Sequence, residues 1–248
     1  MIPDLVLIFQ WWLFVAFLGI IFLPLAKLIF PRFFDDGYIF SKIIGCVVVT
    51  YVIFLVGTLH LLSLSRINIF AVVITFIAIN LYLYSRNRFE LKLKLYLLEE
   101  VIFLLMLTLW AFLRGMNPEI YGIEKYMDFA FLNSILRTDY FPAKDPWLTP
   151  FSINYYYFGH IIAAVLTKLS GISSYLSYNL VVATLFAMSF TATFSLVINL
   201  ILSVTKPGRI EKIKIVVVGI FSAFVLTLAG NLHPIYSFFQ SYQGSDAA

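Results

Sequence analysis

The chain contains apolar runs too long for the strands or core helices of a water-soluble domain. They cover residues 5–30, 39–64, 68–85, 96–114, 156–172, 177–204 and 215–232. Each is close to or beyond the roughly 20 residues needed to cross a bilayer. In hydrocarbon every backbone N–H and C=O must be paired within the segment, so such runs fold as helices. Only 12% of the residues are charged and 62% are hydrophobic. A soluble domain carries about 25% charged residues, so the surface of this chain is made for lipid. The apolar residues do not alternate as in a porin-like barrel. The sequence predicts an all-α, polytopic transmembrane helix bundle of about seven spans in a cell membrane.

Three regions follow from the spacing: 1–114 with about four spans, a long loop at 115–155, and 156–248 with about three more. The first run lacks the basic leader of a cleavable signal, and the end of the chain reads as the start of a longer membrane domain. Cys46 lies inside an apolar run, so no disulfide framework is expected. The net charge of +4 resides in short connectors, the positive-inside pattern, and does not suggest nucleic acid. Arg86, Arg88, Lys92 and Lys94 put the third connector in the cytoplasm, which makes 115–155 extracytoplasmic. Lys206, Arg209, Lys212 and Lys214 make the last connector basic as well. Two crossings by 156–204 would put that connector outside, so the two basic connectors disagree by one crossing. Either one segment there is not a simple span or the rule fails once.

The loop concentrates the reactive groups. Nine of the thirty charged residues lie in 114–145, and six of the fifteen tyrosines in 115–160, so candidate chemistry is sought there. "NPE" predicts a helix start, with Asn117 as cap, Pro118 in the first position and Glu119 at the positive end of the dipole. The helix should run to about Thr138 and stop at "DYFPAKDP". Met127, Ala130, Phe131, Ser134 and Ile135 form its apolar stripe. Glu124 and Asp128, four apart, share another face beside Lys125. Such a helix is expected to lie along the membrane surface. Asp145-Pro146 should form a turn that holds Trp147 at the interface, and "TPFSIN" should be extended. The stretch "INYYYFGH" then carries Asn154, Tyr155, Tyr156, Tyr157 and His160 into the fifth run. Three successive tyrosines point in three directions around a helix, so at least one should face protein.

Each feature also has a bland reading. A Glu/Lys/Asp cluster is often a solvated face, boundary tyrosines form the aromatic belt, and His160 satisfies an interhelical hydrogen bond. Glu99 and Glu100 read as interfacial. Asn231 and His233 are weak candidates for a cavity lining. The spans look nearly free of charge, which argues against a transporter.

The stretch from "GIEKYMDFAFLNS" through "DPW" and "INYYYFGH" to "YNL" resembles the hallmark region of a family of uncharacterised bacterial and archaeal membrane proteins named for its triple-tyrosine (YYY) motif. That family in turn resembles the membrane glycosyltransferases of the GT-C fold, which take sugars from polyprenyl-phosphate donors. The resemblance implies an interfacial helix opening with an acidic residue, here Glu124, followed by a small residue, Ala130. An acidic or Pro-rich aromatic segment, "DYFPAKDPW", then leads into the next span, which ends in Gly171. The adjacent acidic pair usual in GT-C proteins is missing, because Ile123 precedes Glu124.

On this resemblance Glu124 is the candidate catalytic base, with Asp128 second. Lys125, Arg137, Asp145, Trp147, Asn154, Tyr155, Tyr156, Tyr157 and His160 are candidate substrate-binding residues. A base acting on an acceptor hydroxyl must sit at headgroup depth, where a lipid-linked phosphate lies. Lys125, Arg137, Lys144 and His160 are available for the departing phosphate. Tyrosine rings stack on sugar faces. A single displacement would invert the anomeric centre. The expected partners are membrane lipid and a polyprenyl-phosphate-linked sugar. No cofactor is demanded; for a divalent metal ion, Asp128 and Asp145 are the candidate ligands. The competing reading is a non-catalytic scaffold or a transporter.

Overall fold

A computed structural model describes residues 2–87, 90–205 and 208–230. They form eight helices: α1 (Ile2–Ile29), α2 (Tyr38–Thr58), α3 (Arg66–Arg86), α4 (Leu93–Met116), α5 (Ile123–Arg137), α6 (Phe158–Ser170), α7 (Ser174–Val204) and α8 (Arg209–Leu228). Among the described residues there is no named strand, only an isolated antiparallel bridge between Lys144 and Ser152. Asn231 and His233 lie outside the described residues.

Five helices are long and apolar enough to cross a membrane: α1, α2, α3, α4 and α7. The runs at 156–172 and 215–232 appear instead as shorter apolar helices. At about 1.5 Å per residue, the 13 residues of α6 reach about 20 Å, short of a bilayer core of about 30 Å. Its packing agrees. Phe158, at its start, meets Phe54 one turn from the end of α2. At its other end the Ser170 carbonyl accepts from Gln10 and the Leu169 carbonyl from Arg66, the first residue of α3. The end of α2 and the start of α3 are joined by a short connector, so both termini of α6 sit toward one end of the bundle. Between the two basic connectors, only α4 and α7 are long and apolar enough to cross. An even number of crossings removes the disagreement that an additional span at 156–172 creates.

Met1–Met188 form one compact unit and Ser189–Ala248 a second. In the first, α1, α2, α3 and α6 surround a core that includes Trp11, Phe22, Val49, Ile53, Ile69 and Ala164. Eight of the 13 residues of α6 are buried, so it is an interior element rather than a lipid-facing one. In the second, Phe190 packs edge-on against Phe224, and Gly219 lets α8 approach Phe194 and Ile198 closely.

Two local expectations are corrected. The loop helix does not begin at Asn117–Pro118. Asn117 instead closes α4, its amide bonded to the Arg114 carbonyl, and the Pro118 carbonyl accepts from Asn179. Helical structure starts after Gly122, whose φ of 122° lies in a region where only glycine is comfortable. Its end at Arg137, with Thr138 extended, agrees with the sequence. The second correction concerns Glu99 and Glu100, which are buried (1% and 8% exposed) rather than interfacial. Lys42, inside α2, is fully enclosed as well. The spans therefore carry charge where the sequence suggested almost none.

Candidate functional site

Helix α5 lies against α6 and holds the polar residues of the loop on two sides. Phe131, Leu132 and Ile135 are its buried face. Phe131 is the hub of the first cluster. The His160 and Trp147 rings meet it edge-on at 5.6 and 5.7 Å, and the tilted Tyr155 ring lies at 6.0 Å. His160 stands in the first turn of α6, and its Nε2 lies 3.1 Å from Asp128 Oδ1. With Nε2–H donating to the carboxylate, the remaining ring nitrogen, Nδ1, is an acceptor. Nδ1 is buried and has no hydrogen-bond partner.

The tyrosines divide. They precede α6 rather than wrapping around it, and Tyr157 is its N-cap residue. Tyr157 is half-buried, and burial pushes its hydroxyl above the ordinary value. Tyr155 and Tyr156 are exposed; their rings stack at 4.0 Å and their hydroxyls are 2.9 Å apart. The Tyr155 hydroxyl is raised, chiefly by its bond with Tyr156, with added contributions from the charges of Asp128 and Glu124. These two acids and the exposed tyrosines thus share one electrostatic neighbourhood. Glu124 is itself exposed, and Asn154 is exposed one residue before the tyrosines.

Asp145 caps a turn: its Oδ1 accepts from the amides of Trp147 and Leu148 at 2.8 and 2.9 Å. That turn holds Trp147 outward, 60% exposed. The strand-like return is fixed by Ile153 N–H donating to the Ala143 carbonyl. A cavity of about 800 Å³ lies here, lined by Ala130, Asn133, Arg137, Lys144, Asp145 and Thr149, among others. Nine helical steps of 100° place Arg137 on the opposite side of α5 from Asp128. The structure therefore brings Asp128, His160, Trp147, Tyr155 and Tyr156 together and puts Arg137 and Asp145 around a separate cavity. Lys125 is partly buried in the first turn of α5. Among the described residues no group of three or more His, Cys, Asp or Glu is placed to hold a metal ion.

A second polar centre, missed by the sequence reading, sits near the other end of α4. Lys42 Nζ is 2.6 Å from Glu100 Oε2. Trp12 Nε1 donates to Glu100 Oε1 at 2.6 Å, and Tyr38 donates to Oε2. The Tyr38 and Tyr96 rings stack at 5.0 Å. Asp36, in the α1–α2 connector, accepts from Tyr96 at 2.6 Å and pairs with Lys27 and Lys92 at 3.1 and 3.0 Å. Burial opposes ionisation of Asp36, but the bonds from Tyr96, Lys92 and Lys27 outweigh it and hold the carboxyl below its ordinary value. The available signals were a lone lysine in an apolar run and two glutamates one turn and more inside another.

Long apolar helices, a short interior helix and buried ion pairs define a polytopic helical membrane protein. Residues 48–248 match the family described as uncharacterized membrane protein (DUF2298), and the chain belongs to that family. No curated protein and no solved structure matches it.

Proposed function

We propose that the Asp128–His160 cluster is the site of a membrane transferase that moves a sugar from a polyprenyl-phosphate donor to an acceptor hydroxyl at the extracytoplasmic face. One observation carries the reading: a carboxylate oriented by a histidine, whose other ring nitrogen is buried and unpartnered, lies beneath exposed Trp147 and Tyr155. Aromatic faces bind sugar rings, and a positioned carboxylate serves as a general base. Asp128 is better supported as the base than Glu124, because it is half-buried and fixed, whereas Glu124 is exposed. In this scheme the acceptor oxygen attacks the anomeric carbon as Asp128 takes its proton. The bond from that carbon to the phosphate oxygen breaks, and its electron pair leaves with the polyprenyl phosphate. Lys125, about one turn before Asp128 on α5, is the cation assigned to that charge, while His160 holds Asp128 in place. One displacement gives inversion.

The test is transfer by the purified protein in lipid nanodiscs supplied with a polyprenyl-phosphate-linked sugar. D128N should lower turnover at least about 100-fold, the usual range for loss of a general base, while E124Q keeps it. Equal transfer by wild type and D128N would remove the assignment. A second reading, transport, is favoured by the charge enclosed in α2 and α4, since ionisable groups inside spans commonly mark ion pathways. Substrate uptake into vesicles without any transfer product would select it.

A further inference from the structure

The cavity on the far side of α5 from Asp128 has about 800 Å³, within the range of about 300–1,000 Å³ for small-molecule sites. Its neutral polar side chains are used up in fixing its walls. Ser134 Oγ donates to the Lys144 carbonyl at 2.5 Å, Thr138 Oγ1 to the Ser134 carbonyl at 3.0 Å and Thr149 Oγ1 to the Asp145 carbonyl at 2.9 Å. Asn133 donates to the Phe129 carbonyl and accepts from Ser174. Tyr140 is braced by the His60 ring, stacked at 4.8 Å. The Asp139 carbonyl accepts from the Leu64 amide at 2.7 Å, which ties this segment to the α2–α3 connector. Three charged groups of the lining are left over: the Arg137 guanidinium, the Lys144 ammonium and the Asp139 carboxylate. Among the described residues none of them makes a side-chain hydrogen bond or an ion pair. Asp139 acts on Lys168 of α6 through space without pairing with it. The fourth charged group, Asp145, is turned onto the amides of Trp147 and Leu148.

We propose that this cavity binds a water-soluble sugar carrying a phosphate or carboxylate, with the anionic group on Arg137 and Lys144 and a ring hydroxyl on Asp139. The two cations offer only donors, and the carboxylate only acceptors. They share one cavity yet stand out of ion-pair reach of one another, so a ligand that meets all three must bring an anion and a hydroxyl together. The planar fork of Arg137 matches two oxygens of a phosphate or carboxylate, and Lys144 adds a point charge. The Ser134 bond pins the Lys144 backbone to α5, three residues before Arg137, so the two cations are anchored to one rigid element. The cavity lies across α5 from Asp128, and the inference stands without sugar transfer there.

Calorimetric titration of the full chain in phosphatidylcholine nanodiscs tests it, with glucose 6-phosphate and glucuronate as probes and glucose and inorganic phosphate as comparators. At least one probe should bind saturably, about 10-fold or more tighter than either comparator. R137Q and K144Q should each weaken that binding about 10-fold, the range for losing a hydrogen bond to a charged group. D139N should erase the advantage over inorganic phosphate. Wild type that binds neither probe overturns the inference, with no variant needed. Unchanged affinity in the R137Q/K144Q double variant places the ligand elsewhere and also overturns it. Inorganic phosphate binding as tightly as the probes reduces the cavity to an anion site and overturns the sugar. Binding lost when phosphatidylglycerol replaces phosphatidylcholine assigns the cavity to a lipid headgroup and overturns the soluble ligand.

Discussion

The two polar centres near opposite ends of α4 are built differently. The one beside α5 is shallow and aromatic. Trp147, Tyr155 and Tyr156 are exposed, and a single hydrogen-bonded pair, Asp128 with His160, underlies them. The one near the start of α4 is enclosed, with Lys42 at 0% exposure and Glu100 held by hydrogen bonds from Trp12 and Tyr38 and by the Lys42 ammonium. A group open to solvent and substrate can change partners at small cost. An enclosed charge has no water to fall back on, so removing one partner strands the other. Under the proposed function this amounts to a division of labour: recognition and chemistry at the loop, and helix alignment by the enclosed centre within the bundle.

The largest expected effect separates the two centres by stability. Lys42→Met leaves Glu100 enclosed without its cation and should cost about 3–5 kcal/mol, the range for breaking a buried pair. The double variant Lys42→Met/Glu100→Gln should recover most of that loss. Denaturant unfolding in detergent reads both, and a single variant as stable as wild type would show that the pair is not buried in solution.

Acid should weaken the enclosed centre through Asp36. The Asp36 carboxyl is held below its ordinary value of 3.8, so its contribution is fully present above about pH 4. It is lost as pH falls through the lower folded value. Melting curves measured from pH 6 downward should therefore weaken more for wild type than for Asp36→Asn. Parallel curves would contradict the assignment.

The smallest effect belongs to the loop. Asp128→Asn weakens one half-exposed hydrogen-bonded pair and should change stability by less than about 1 kcal/mol, whatever it does to turnover. A loss as large as that of Lys42→Met would mean that Asp128 is structural.

How much of this was legible in the sequence follows the same division. The long helices were visible because hydropathy accumulates over 20 residues, and the Asp145 turn because its chemistry is local. The run at 156–172 was apolar enough to suggest a crossing, but hydropathy records apolarity and not depth; α6 buries its apolar surface against protein. The helix start at Ile123 was obscured because "NPE" is a genuine capping signal that the end of α4 uses instead. The enclosed centre was the hardest to see. Lys42 and Glu100 are 58 positions apart, and each alone is a tolerable charge in an apolar run. Phe131 read only as part of a stripe, because its role as the contact among His160, Trp147 and Tyr155 depends on three segments meeting.

The division of labour is tested most directly by photo-crosslinking with a polyprenyl-phosphate sugar carrying a photoreactive group on the sugar. Adducts mapped by mass spectrometry should fall on Trp147, Tyr155 and Tyr156 and be outcompeted by unlabelled donor. Competable adducts on Trp12, Tyr38 or Tyr96 instead would place the substrate at the enclosed centre and contradict the account.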